Sequence, residues 1–239
     1  MRVTWIGGWG VAPESLRPLA EKFFAHSQHT FVAPSADTFA IATIPGPELK
    51  KAPKDLGRTK IKAPNLCPPQ IFGCSSAGSP DLLVAWSLGA WRVIEAASRG
   101  VEFPGMVLLL APFVAFPSES KLGGKCSITQ VKFLRRWVER DTLAALGDFY
   151  QRVRMMNAPT EMPYALPELL EGLDRLAEDA SPALREFAAR GLPRNWQALI
   201  GDDDPLLDAE TVCRSLPGCV RVRGVGHAIA ELLAASQAK

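Results

Sequence analysis

Five short apolar runs punctuate the chain, at residues 3–6, 30–33, 82–86, 106–110 and 197–200, with a weaker sixth at 219–222. Most are continuous rather than alternating, the pattern of strands buried on both faces of a parallel sheet. Between them the apolar period lengthens. Leu16, Leu19, Ala20 and Phe23 form a helical stripe over 13–24. Good helix formers follow the third run over 88–97, and two more helices are predicted over 208–216 and 228–238. Strand, turn and helix recur, which predicts an open α/β sheet with right-handed crossovers.

Two segments break this rhythm. Residues 43–80 carry Pro45, Pro47, Pro53, Pro64, Pro68, Pro69 and Pro80, which excludes a regular helix and reads as a long irregular connection. Residues 116–192 hold several helical patterns and no good strand, at 129–140, 141–155, after Pro163 and at 182–190. They read as a helical cap inserted into a core made of residues 1–115 and 193–239.

Composition narrows the function classes. The 239 residues carry 27 Lys+Arg against 25 Asp+Glu, a net charge of +2, so no global basic character points to nucleic acid. No apolar run approaches the roughly 20 residues of a membrane span, and the chain enters its first strand without a signal-peptide pattern. The expectation is a cytoplasmic protein. Five cysteines without a CxxC pair suggest neither a disulfide framework nor a zinc ribbon, and three histidines are too few for a His-rich metal site.

The most informative stretch is Ala85-Trp86-Ser87-Leu88-Gly89, where an apolar strand ends at a serine and turns at once into a helix. A nucleophile on so sharp a turn needs small residues two positions to either side, and Ala85 and Gly89 meet that need. The competing reading is a serine that merely caps the following helix. A serine nucleophile also needs a base, and the base an orienting acid, in the chain order Ser, acid, His. Asp204, after Gly201-Asp202-Asp203, is the candidate acid, and His227, behind Gly224-Val225-Gly226, the candidate base. His26 and His29 sit where the first helix passes into the second strand and are assigned connecting roles. The three aspartates as a metal cluster are the weaker alternative, because no calcium-loop spacing is present. After the first strand, Gly7-Gly8-Trp9-Gly10 lets the backbone approach a ligand but does not make a dinucleotide GxGxxG. The main-chain N–H groups of Trp9 and Leu88 are therefore the candidate oxyanion donors.

With Gly8-Trp9-Gly10, Ala85-Trp86-Ser87-Leu88-Gly89, Gly201 to Asp204 and Gly226-His227 in this order, the chain resembles the α/β-hydrolase superfamily. Within it, the chain resembles the pimeloyl-[acyl-carrier protein] methyl ester esterases of biotin synthesis. That resemblance implies a Ser87–His227–Asp204 triad, a helical cap, no metal or organic cofactor, and hydrolysis of a methyl ester on an acyl chain borne by acyl carrier protein. Gly7 stands where that family often has His, the family's first two strands have no counterpart before Val3, and 43–80 does not read as the usual helix. A general carboxylesterase, a thioesterase or a non-catalytic binding protein of this fold are the alternatives. The cap adds a physical clue in Arg135, Arg136, Arg140, Arg152 and Arg154, which with Lys121, Lys125 and Lys132 outnumber Glu139, Asp141 and Asp148. A basic face could steer an acidic carrier protein, or it is only a solvated helix surface.

Overall fold

A computed structural model describes residues 1–35, 80–103, 105–155 and 157–237. Nearly all of the expected irregular connection, up to residue 79, and Ala238 of the last helix lie outside the described residues. Six strands form one parallel sheet: β1 (Arg2–Ile6), β2 (Gln28–Val32), β3 (Leu82–Trp86), β4 (Met106–Leu110), β5 (Trp196–Gly201) and β6 (Cys219–Val222). Their order is β2-β1-β3-β4-β5-β6. The inner strands bury almost every side chain, as their unbroken apolar runs require. The edges differ. β2 exposes Gln28 and Thr30 and β6 exposes Arg221, polar positions that discourage pairing with another chain.

From β1 the chain crosses to β2 on one side and then returns to place β3 on the other. The connections leaving the carboxyl ends of β1 and β3 thus diverge, and the crevice between them is where open α/β sheets bind ligands. The Gly7–Gly10 loop and Ser87 both fall at this point.

Eight helices accompany the sheet among the described residues: α1 (Arg17–Phe23), α2 (Leu88–Ser98), α3 (Ile128–Arg140), α4 (Thr142–Arg152), α5 (Leu166–Leu176), α6 (Pro182–Ala189), α7 (Ala209–Ser215) and α8 (Ile229–Gln237). The helix predicted over 13–24 opens with a tighter 3-10 turn at Pro13–Leu16 before α1. Pro18 has no N–H to close an α-helical turn on Glu14, which accounts for the change of geometry there. Ser127 and Gln130 make a reciprocal capping box at α3, while Asp141, Ser181 and Asp208 cap α4, α6 and α7.

Helices α3 to α6 all come between β4 and β5. The first three pack against one another through α3, whereas α6 packs against α2. A charge pair joins the two groups: Arg92 of α2, 4% exposed, donates to both carboxylate oxygens of Glu171 on α5. A buried guanidinium left without its partner is costly. With Glu171 itself partly exposed and Glu95 also near Arg92, Glu171→Gln is expected to lower stability by about 2 kcal/mol. That is a fall of roughly 4–8 °C in Tm for a chain of this size, to be read by thermal denaturation.

Candidate active site

Ser87 leaves β3 with φ 55° and ψ −118°, a conformation that L-residues rarely adopt. Its amide donates to the Leu110 carbonyl at 2.9 Å, and its carbonyl accepts the Trp91 amide at 3.0 Å, so the strained turn is pinned from both sides. A Cβ at Gly89 would stand 2.5 Å from the Gly7 carbonyl oxygen and 2.7 Å from that of Ile6. Only glycine lets α2 start this close to the β1 loop. The hydroxyl of Ser87 makes no capping bond to α2. It reaches His227 instead.

His227 lies on the loop between β6 and α8, 1% exposed, with Nε2 3.0 Å from Ser87 Oγ and Nδ1 2.6 Å from Asp204 Oδ2. An ionised carboxylate only accepts, so Nδ1 carries the ring proton and Nε2 is left to accept the serine hydroxyl. The other carboxylate oxygen of Asp204 accepts from the amides of Leu206 at 2.8 Å and Leu207 at 3.0 Å. The three side chains, separated by 117 and 23 positions in sequence, thus form one hydrogen-bonded line. Asp202 is engaged with Arg221 at 2.8 Å and Asp203 faces solvent. His29 lies on β2, beside the Trp5 indole N–H at 3.2 Å, and His26 is exposed at φ 69°.

Four residues brace this line. The Trp86 indole N–H donates to the His227 carbonyl at 2.9 Å, and its ring lies beside the imidazole with centroids 5.5 Å apart. Lys125 Nζ donates to the Asp204 carbonyl at 2.6 Å. Gly201 lets the histidine loop pass, since a Cβ there would meet the Val225 carbonyl oxygen at 2.1 Å. Glu231 Oε2 accepts the Gly226 amide at 3.1 Å and holds the same loop from α8. Trp86 and Gly201 stand in the sequence motifs, directly before the serine and ahead of the acid, whereas Lys125 and Glu231 carry no signal for this role.

The two candidate oxyanion donors sit on facing elements. Leu88 is the first residue of α2, so its N–H has no intrahelical acceptor and lies at the positive end of the helix. Trp9 follows Gly8, where a Cβ would come 2.9 Å from the Trp86 ring and 3.2 Å from Ser87 Cβ. Among the described residues no backbone acceptor is found for either N–H. A nucleophile, its base, an orienting acid and two unused amides are the components of acyl transfer through a covalent intermediate.

Between α3, α4 and α5 lies a cavity of about 380 Å³, lined chiefly by apolar and aromatic side chains that include Phe116, Leu134, Trp137, Phe149 and Leu173. Trp9 and Leu206 belong to its wall, so it adjoins both the oxyanion loop and the turn that holds Asp204. Of the five cap arginines, Arg135 is taken up by Asp174 at 2.7 Å and Glu139 at 2.6 Å, and Arg152 by Asp148 at 2.6 Å. Arg136, Arg140 and Arg154 are exposed and have no acidic partner among the described residues. Lys132, Arg136 and Arg140 recur every fourth residue and share one face of α3, next to Phe133, which is 59% exposed at the cavity's edge.

No protein-family model matches the chain, and no curated protein matches it in sequence. Solved structures do resemble it in fold. An esterase from Exiguobacterium antarcticum superposes with a TM-score of 0.64 at 11% identity, over 96% of this chain and 85% of that one. A thermophilic esterase from Thermogutta terrifontis, solved with malate bound, gives 0.59 at 12% identity over 95% and 82%. The esterase RhEst1 from a Rhodococcus species gives 0.57 at 14% over 96% and 84%. At these identities the likeness establishes architecture, and with the parallel sheet and its helices it defines the α/β-hydrolase fold. Among the described residues no helix is long and apolar enough to cross a membrane.

If Asp204 fixes the imidazole tautomer, Asp204→Asn is expected to slow labelling of Ser87 by a fluorophosphonate about 1000-fold while leaving the fold intact. Labelling kinetics followed by intact-protein mass measure this, and an unchanged rate contradicts the assignment.

Proposed function

We propose that the chain is a serine hydrolase of carboxylic esters, and that its substrate is the methyl ester of a pimeloyl chain carried by acyl carrier protein. The Ser87–His227–Asp204 line, with distances of 3.0 and 2.6 Å, is the observation that carries the enzymatic reading. A structural role for these three would not require a hydroxyl and an imidazole aligned on a buried carboxylate, a polar arrangement that is costly to bury.

The chemistry follows from the geometry. His227 Nε2 takes the proton of Ser87 Oγ as the oxygen attacks the ester carbonyl carbon, and the negative charge that develops on the carbonyl oxygen meets the Trp9 and Leu88 amides. His227 then returns the proton to the departing alkoxide, which leaves as the alcohol. A water molecule, deprotonated by the same imidazole, attacks the acyl-enzyme, and collapse frees the acid and restores the serine. Asp204 stays ionised throughout and stabilises the transient imidazolium.

Three features favour an acyl chain delivered by an acidic partner. The cavity offers an apolar volume within the range of small-ligand sites, next to the oxyanion loop. The Lys132, Arg136 and Arg140 stripe leaves uncompensated positive charge beside that cavity, on the helices α3 to α5 that we take as the cap. The Gly8-Trp9-Gly10 and Trp86-Ser87-Leu88-Gly89 sequences add the resemblance. The pairing of Arg135 and Arg152 with acids of the same segment removes two of the five arginines from the docking surface and favours, as a second reading, an esterase of small free esters.

Purified protein assayed on a p-nitrophenyl ester, an acyl thioester and methyl-pimeloyl carrier protein separates these readings. The proposal expects the highest kcat/KM on the carrier-borne methyl ester, together with restored growth of a biotin-requiring strain that lacks its own esterase. Preference for the free ester selects the second reading, and no turnover of any activated ester removes both. Replacing Arg136 and Arg140 by Glu is expected to raise KM about 10-fold or more for the carrier-borne ester and to leave the free ester unchanged. Equal kinetics on both substrates would remove the docking surface.

A further inference from the structure

The helical segment grips the oxyanion loop through groups that the triad does not use. The chain has two tyrosines, and both bring their phenol oxygens to Gly10. The Gly10 N–H donates to Tyr164 Oη at 2.7 Å, and the Gly10 carbonyl accepts from Tyr150 Oη at 3.1 Å. Tyr150 lies on α4 and Tyr164 just before α5. A third bond comes from the neighbouring residue, whose indole N–H donates to the Leu169 carbonyl of α5 at 2.8 Å. The Trp9 ring is set edge-on against Phe149 with centroids 5.0 Å apart. Gly10 has φ 72°, and a Cβ there would also meet Leu146 at 2.7 Å, so the position demands glycine on two counts.

Both phenols are held neutral. Burial pushes Tyr150 up to about 12, and burial raises Tyr164 well above the ordinary phenol value despite the opposing bond from Gly10 N–H. A neutral phenol has one donor and free lone pairs, so Tyr150 donates and Tyr164 accepts without change across the neutral range.

The peptide unit is planar, so fixing the N–H of Gly10 fixes the whole Trp9–Gly10 unit. The Trp9 N–H belongs to the preceding Gly8–Trp9 unit, and with the Trp9 carbonyl side fixed and the indole anchored, little rotation about the Trp9 Cα remains for it. On the sheet side, among the described residues, the loop has a long bond from the Gly7 amide to the Val32 carbonyl, 3.4 Å, and the packing of Gly7 on Gly89 and of Gly8 on Trp86. We propose that Tyr150 and Tyr164 are positioning residues that hold the two peptide units flanking Gly10, and through them the backbone of Trp9, for catalysis, so that one oxyanion donor, the Trp9 N–H, is in place only while α4 and α5 are seated on the loop. This rests on the esterase reading above. Its consequence is that acyl transfer depends on the state of the helical segment through the developing oxyanion, not through the triad.

The test uses Tyr150→Phe, Tyr164→Phe and Gly172→Ala. The last touches neither tyrosine but would place a Cβ 2.7 Å from Trp9 Cδ1 and push the indole from its seat on α5. Hydrolysis of p-nitrophenyl butyrate is measured per Ser87 titrated with a fluorophosphonate, so unfolded protein does not count, and hydrogen exchange reports on the Gly10 amide. Removing an oxyanion donor outright costs about 100- to 1000-fold, so loosening one is expected to lower kcat about 10- to 100-fold in each variant. KM should stay within about twofold, as for an interaction used only in the transition state. Exchange at Gly10 should quicken in Tyr164→Phe. Variants that turn over like an active wild type, or whose loss falls on KM alone, overturn the clamp. A wild type with no turnover instead overturns the esterase reading and with it the catalytic role of the tyrosines, while protection at Gly10 would still report the contact.

Discussion

One backbone turn organises this molecule. Ser87 occupies φ 55° and ψ −118° between the most deeply buried part of the sheet and the first turn of α2. Strain of this kind persists only where the surroundings over-determine it. Here the over-determination is visible: the Ser87 amide is held by β4, Gly89 presses on the carbonyls of Ile6 and Gly7, and Gly8 lies against Trp86. The same crowding delivers the Leu88 amide beside the hydroxyl and brings the β1 loop to face it. Sheet topology places both at the switch point, so the proposed nucleophile and the candidate oxyanion donors arise from one packing problem.

The segment between β4 and β5 braces the site from two directions. The Asp204 turn is braced by Lys125 through its carbonyl, and by backbone bonds from Lys125 to Leu206 and from Asp208 to Gly123. The oxyanion loop is held by α4 and α5. The stretch from Gly123 through α5 thus does more than line the apolar cavity, because both the proposed acid and one candidate donor lean on its residues. Trp9 stands in the wall of the cavity with its side chain, while its main-chain N–H is a candidate oxyanion donor, so one residue joins the cavity to the proposed oxyanion site.

Most of the fold was legible in the order of apolar runs. All six strands lie within two residues of their expected limits, and for the four inner ones the reason is that continuous burial leaves an unbroken hydrophobic signature. The Ser, Asp and His positions were legible for a different reason. Each follows a strand by at most a short turn that carries a glycine, and at Gly89 and Gly201 the close approach of neighbouring backbone leaves no room for a Cβ. What was not legible is long-range and polar. The Trp86 bond to His227 spans 141 positions and the Tyr164 bond to Gly10 spans 154. Nothing in a tyrosine's neighbours announces a partner so distant. The charge count was legible, but not its pairing. Arg135 finds Asp174 on α5, 39 positions away, so the basic face is narrower than the tally implied.

The central claim is that Ser87 carries the acyl group during turnover. Rapid acid quench of the protein during hydrolysis of a slowly deacylated p-nitrophenyl ester, followed by peptide mass analysis, tests it most directly. The account predicts a mass increase equal to one acyl group, confined to Ser87 and absent in Ser87→Ala. Turnover without any acylated Ser87, or with the acyl group on another residue, would contradict it.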